Sequence, residues 1–172
     1  ILDIRDLTIH FEVKSGVVEA VNHVSFTLNK GETLGLVGET GAGKTTTALG
    51  IMNLVQTPPG RIVSGEILFE DRDLRKLSTH EMRKVRGNDI SMIFQDPMTS
   101  LNPIDKVGDQ IAEVIRIHQK ISPAEAAVKA QEMLEMVGID KNRYNDYPHQ
   151  FSGGMKQRVV IAIALACNTK IL

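Results

Sequence analysis

The chain has 172 residues, 42% of them hydrophobic and 24% charged, proportions that exclude a disordered or fibrous chain and are enough to bury a core. Twenty basic side chains against twenty-one acidic ones leave a formal charge of -1, so charge gives no footprint for nucleic acid or for an anionic membrane surface. The single cysteine, Cys167, cannot form an internal disulfide, and its apolar helical surroundings suit a small buried hydrophobe in a reducing cytosol.

Leu2 to Ile9 alternates apolar and polar residues, Ser15-Gly16 reads as a turn, and Val17 to Leu28 continues in β-branched style, which predicts antiparallel strands. Thr33-Leu34-Gly35-Leu36-Val37 is a short apolar run of the kind expected for a strand buried on both faces, and it leads into a glycine-rich loop. A helix is predicted from Lys44 to about Leu54, with Pro58-Pro59-Gly60 beyond its end. Gly65 to Phe69 reads as another strand and Ile90 to Phe94 as a second buried parallel strand, which makes an α/β pattern.

After Pro103 the character is helical, with Val107, Ile111, Val114 and Ile115 on one face. A further helix is framed by Ser122 as cap, Pro123 at its first position, Glu125 completing a capping box and Gly138 as the stop. Its buried stripe is Ala126, Ala130, Met133, Leu134 and Val137. The last helix starts near Ser152 and runs through Val159, Val160 and Ile163. The longest unbroken apolar stretch, Val159 to Cys167, is well short of the roughly 20 residues that cross a bilayer, and nothing at the N-terminus resembles a signal peptide. Any link to a membrane is therefore expected through a partner. Ile1 is not an initiator methionine, and Lys170-Ile171-Leu172 reads as the start of an apolar strand, so the chain is read as a fragment.

Gly38-Glu39-Thr40-Gly41-Ala42-Gly43-Lys44-Thr45 matches the G-x-x-x-x-G-K-[ST] pattern in full, between an expected strand and an expected helix. The glycines let consecutive N–H groups turn inward as an anion nest, and the N-terminus of the following helix adds partial positive charge. Lys44 is expected to reach the β- and γ-phosphates, and the hydroxyl of Thr45 to ligate Mg²⁺, with Thr46 beside it in the first turn. A glycine-rich turn that merely joins two elements is the competing reading. The four fixed positions would arise by chance in on the order of one chain in a hundred, and the strand-and-helix context lowers that further.

Two downstream segments choose among the P-loop classes. Phe151-Ser152-Gly153-Gly154-Met155-Lys156-Gln157-Arg158 resembles the signature sequence of ABC-type ATPases, and Phe94-Gln95-Asp96-Pro97 resembles their Q-loop. The resemblance covers essentially the whole chain, and the longer runs Phe94 to Pro103 and Phe151 to Arg158 are similar to the branch that imports oligopeptides, dipeptides or nickel. It implies a P-loop nucleotidase fold divided into a β region plus nucleotide-binding core at 1–96, a helical subdomain at 97–166 and the start of a core strand at 167–172.

For the site, the resemblance implies that Ser152, Gly153 and Gly154 contact the γ-phosphate of ATP held by the opposite subunit of a head-to-tail dimer. It implies that Gln95 senses Mg²⁺ and relays to the transmembrane partner, and that Phe11 stacks on adenine, with a core phenylalanine as the rival reading. Serine is commoner in the family where Thr40 stands, a small change for a backbone nest. The family's hydrolytic aspartate and glutamate follow the strand that Ile171-Leu172 would begin, and its switch histidine comes later. With none of these present, negligible hydrolysis is expected of these 172 residues alone. His149 does not match the switch position, and His10, His23, His80 and His118 share no metal-ligand spacing with it.

The partners implied are permease subunits and a second ATPase subunit at the cytoplasmic face of the cell membrane, with Met98 to Asp105 as a contact segment. A soluble ABC-type ATPase acting on DNA or ribosomes is the alternative; it would bring heptads or a basic stripe, which this sequence lacks.

Overall fold

The computed structural model describes residues 1–96 and 99–172. Pro97 and Met98, and with them the first residue of the expected Met98–Asp105 contact segment, lie outside the described residues. The chain divides into two units, Ile1–Met82 and Arg83–Leu172.

In the first unit β1 (Leu2–Val13), β2 (Gly16–Leu28), β3 (Gly60–Phe69) and β4 (Arg72–Asp73) form an antiparallel sheet in the order β2-β1-β3-β4. A two-residue turn, Lys14-Ser15, joins the first pair. β1 is central and carries most of the core: Leu2, Ile4, Leu7 and Ile9 are buried against Ile67 and Phe69 of the same unit. Strict alternation would turn Leu7 and Ile9 to the face opposite Leu2 and Ile4. A register shift between Ile4 and Leu7, where Asp6 adopts a positive φ of 50°, returns both pairs to the core. Ser25 Oγ accepts from the Asp6 N–H at 2.8 Å. Gly65 lies beside this bulge, where a Cβ would stand 2.6 Å from the Asp6 carbonyl oxygen, so only glycine fits.

α1 (Lys44–Ile51) lies on this unit through Gly50, where a Cβ would meet Ile9 Cδ1 at 2.8 Å. The helix ends three residues before the expected Leu54, because Asn53 takes a left-handed conformation with φ 49°.

The expected strands Thr33–Val37 and Ile90–Phe94 are not formed as strands. A segment patterned for burial on two faces needs hydrogen-bonded neighbours on both sides, and no named strand among the described residues pairs with either one. Leu34, Leu36 and Val37 are consequently 40%, 44% and 95% exposed, and Phe94 48%. What remains of the parallel pattern is a bridge between Ile90 and Ile171, with Ser91 N–H donating to the Ile171 carbonyl at 2.9 Å.

α2 (Thr79–Val85) spans the boundary between the units. The second unit is built on α3 (Val107–Gln119), α4 (Pro123–Met136) and α5 (Gly153–Leu165). Val107, Ile111 and Ile115 are fully buried in one cluster with Ala126, Ala130 and Leu134, the two alanines being small enough to allow close helix approach. The capping box of α4 is formed: Glu125 N–H donates to Ser122 Oγ and Ser122 N–H to Glu125 Oε2. The Ser122 hydroxyl, which donates to Glu125 Oε2 at 2.6 Å, and then the Ser122 N–H favour the ionised carboxyl and hold Glu125 below its ordinary value. Cys167 is half-buried, its thiol directed at the Val114 carbonyl and pushed up in pKa by burial.

Candidate functional site

The residues Gly38 to Ala42 form an exposed loop that turns through the buried Gly43 into α1. Gly41 and Gly43 have φ of 85° and 81°, left-handed values that aim successive N–H groups into the loop. Ala42 N–H closes a turn on the Glu39 carbonyl at 3.1 Å. Gly43 is the N-cap of α1 and offers no capping side chain, which leaves helix-start N–H groups as donors for an anion. Thr47 is buried, and both its N–H and its hydroxyl bond to the Gly43 carbonyl, at 2.8 and 2.9 Å, so the first turn of the helix is pinned to the loop.

Lys44 Nζ donates to the carbonyls of Gly38 and Glu39 at 2.6 and 2.7 Å. The ammonium thus stands inside the loop's own curve, where an anion seated on the glycine N–H groups would lie. Thr45 and Thr40 are exposed, and Thr46 and Phe11 are half-buried. Phe11 pairs across the sheet with Val18 and Gly60, and its ring lies over Gly60, where a Cβ would be 2.8 Å from Phe11 Cε1.

Gly43 is held against β2. A Cβ there would stand 2.1 Å from the Ala20 carbonyl oxygen, a backbone atom that cannot move aside. Gly43→Ala is therefore expected to destabilise the first unit by roughly 3 kcal/mol or more, from left-handed strain together with overpacking, as read by urea unfolding.

The second group of site residues opens α5. Ser152 is its N-cap, and its hydroxyl accepts from the Met155 N–H at 3.4 Å. Ser152, Gly153 and Gly154 are exposed, and a Cβ at either glycine would meet nothing within 4 Å. Packing within the chain therefore does not require glycine here, whereas close approach by another molecule would. Gln95 is exposed at a bend, followed by a turn in which Thr99 and Ser100 donate to the Asp96 carbonyl at 3.3 and 3.0 Å. Sequence reasoning passed over Arg143, which contacts the residues flanking Ser152. No motif marks it, because its partners are set by irregular backbone.

Among the described residues no group of three or more His, Cys, Asp or Glu side chains is gathered for a metal. His23 pairs with Asp6 at 2.6 Å, His149 stacks on Tyr147, and burial lowers the pKa of His118, with Asp89 opposing that shift.

A glycine-rich loop running into a helix, beside an antiparallel sheet and followed by a helical unit, defines a P-loop ATP-binding cassette. The chain belongs to the ABC transporter family, whose model matches residues 21–172. It is 56% identical, over its whole length, to the oligopeptide transport ATP-binding protein OppD of Bacillus subtilis (strain 168), of which it covers 49%. It is 49% identical to the dipeptide transport ATP-binding protein DppD of the same organism, of which it covers 52%. The chain thus spans about half the length of these relatives. The ATP-binding cassette MJ0796, solved as a dimer in a post-hydrolysis state bound to ADP and Pi, superposes with a TM-score of 0.86 at 26% identity, over 98% of this chain and 71% of that one.

Proposed function

We propose that the chain is the ATP-binding part of a subunit that powers import of peptides or a related small solute through membrane-spanning permease subunits. One observation supports this reading: two separate helix starts, α1 behind the exposed residues Gly38–Ala42 and α5 behind the exposed residues Ser152–Gly154, both present backbone N–H groups of a kind that suits an anion. One triphosphate needs only one such loop. The second site makes sense when it meets the phosphate held by another copy in a head-to-tail dimer, and the dimeric MJ0796 cassette supports that arrangement. The names of the relatives, oligopeptide and dipeptide transport ATP-binding proteins, support the solute class.

In this reading the N–H groups from Gly38 to Thr46 cradle the phosphates, with the Glu39, Thr40 and Ala42 side chains as bystanders. Lys44 exchanges the Gly38 and Glu39 carbonyls for β- and γ-phosphate oxygens. The exposed hydroxyl of Thr45 suits a hard cation and would hold Mg²⁺, which would supply charge neutralisation at the phosphates. Phe11 offers a half-buried ring for the adenine. Ser152, Gly153 and Gly154 donate to the γ-phosphate of the opposite copy.

Among the described residues no helix is long and apolar enough to cross a membrane, so attachment to the cytoplasmic face through the permease is part of the proposal. The contact segment after Gln95 is staked by Gln110, whose side chain bonds Asn102 N–H and the carbonyls of Asn102 and Asp105, all at 3.0 Å. It holds Ile104 79% exposed. Beside it lies a cleft of about 380 Å³ lined by Asp105, Asp109, Glu113 and Arg116. The permease subunits are expected to copurify from solubilised membranes with the wild-type protein. Retention should fall at least about tenfold with Asp105→Lys and Glu113→Lys combined, because reversed charges repel a complementary partner. Undiminished retention would remove this surface from the proposal.

A further inference from the structure

We propose that Arg143 is a positioning residue that sets the start of α5, so that Ser152, Gly153 and Gly154 are presented in one orientation. The inference rests on the assignment of that helix start to a phosphate. Arg143 lies in the 3-10 turn Lys141–Asn145, which begins at Asp140, whose side chain accepts from Asn142 N–H at 2.8 Å. Its guanidinium is used on every side. Nε donates to Asp146 Oδ2 at 2.7 Å, Nη2 to the Gln150 carbonyl at 2.9 Å and Nη1 to Met155 Sδ at 3.4 Å. The guanidinium carbon stands 4.2 Å from the centre of the Phe151 ring.

These contacts bracket the cap without touching it. Gln150 and Phe151 immediately precede Ser152, and Met155 is the residue whose N–H the Ser152 hydroxyl receives. One side chain therefore fixes the backbone before the cap and the first turn after it, while Ser152 to Gly154 stay open. A planar fork that hydrogen-bonds at its edges and stacks on its face is specific to arginine, and a lysine could make only part of this set.

The same turn is anchored on α3. The Tyr144 ring covers Gly108, where a Cβ would come within 2.1 Å of it, and its hydroxyl donates to Asp109 at 2.8 Å. Val107 N–H donates to the Asp146 carbonyl at 2.9 Å, and Lys106 Nζ to Asn145 Oδ1 at 3.1 Å. Burial and then Asp109 push the Tyr144 hydroxyl up to about 12, so it remains a donor throughout the neutral range. Arg143 thus registers the start of α5 against the start of α3, which directly follows the segment assigned above to the membrane partner.

The test uses the full-length subunit with a non-hydrolysable ATP analogue. Analogue affinity, the dissociation constant of the nucleotide-driven dimer by sedimentation velocity, and circular dichroism are read for wild type, Ser152→Ala, Arg143→Met and Arg143→Lys. Arg143→Met is expected to raise the dimer dissociation constant about tenfold while analogue affinity stays within about twofold, with Arg143→Lys between it and wild type. A merely structural role would lower both together. If Arg143→Met fails to fold, Arg143→Lys decides, and wild-type dimerisation in it overturns the proposal. A folded Arg143→Met that dimerises as wild type, alongside an impaired Ser152→Ala, overturns the positioning role and leaves the phosphate assignment standing. Absence of any nucleotide-driven dimer in wild type overturns both.

Discussion

Lys44→Ala is expected to weaken binding of ATP with Mg²⁺ by about a hundredfold and to leave the fold of residues 1–82 in place, because a charge-assisted contact to phosphate is worth roughly 1.5–3 kcal/mol. The ammonium now bonds two carbonyls of its own loop, and both bonds are solvent-exposed. Removing them costs little, since the loop is held independently by the left-handed glycines, by the seat of Gly43 on Ala20 and by Thr47 bonded to the Gly43 carbonyl. Titration with a fluorescent ATP analogue measures the affinity, and circular dichroism checks the fold. Undiminished affinity in the variant would mean that the loop is not where the phosphates bind.

The second large effect is expected of Gly154→Asp. Gly154 is the second residue of α5 and has open space before it, so the new side chain meets no atom of the chain. Replacing a helical glycine by aspartate favours folding by about 0.3 kcal/mol, and a carboxylate near the positive end of the helix by about 0.3–1 kcal/mol. Thermal stability should rise or hold. The same carboxylate occupies the place proposed for a γ-phosphate, where like charge and lost close approach oppose binding, so nucleotide-driven dimerisation should fall beyond detection. The variant thus separates stability from function in opposite directions. A variant that dimerised as wild type would show that the glycines face nothing charged.

What could be read from the sequence was local. The loop Gly38–Thr45 and the capping box Ser122–Glu125 depend on residues within one or two turns of each other, so their spacing carried the geometry. Strand formation depends on neighbours. Thr33–Val37 has an apolar pattern for burial on both faces, yet no strand among the described residues pairs with it, and Val37 is exposed. The bulge at Asp6 is marked in the sequence only by the adjacent polar pair Arg5-Asp6, which shifts the phase of the alternation, and aspartate signals a positive φ only weakly. The Arg143 clamp was invisible for a third reason. Its partners, from Asp146 to Met155, are spread over an irregular segment, a single 3-10 turn and the first turn of α5, with no common period, and an isolated arginine before them looks like a solvated charge.

The central claim is that one copy's phosphate loop works with another copy's Ser152–Gly154. The most direct measurement mixes Lys44→Ala with Gly154→Asp in the presence of the non-hydrolysable analogue and Mg²⁺, and follows dimer formation by sedimentation velocity. Each variant alone carries a defect in both composite sites of its homodimer, whereas the mixed pair restores one site with an intact loop and an intact helix start. The account predicts a nucleotide-dependent dimer in the mixture and none in either variant alone. A mixture that behaves as the sum of its parts would contradict it, placing both groups at a site within a single copy.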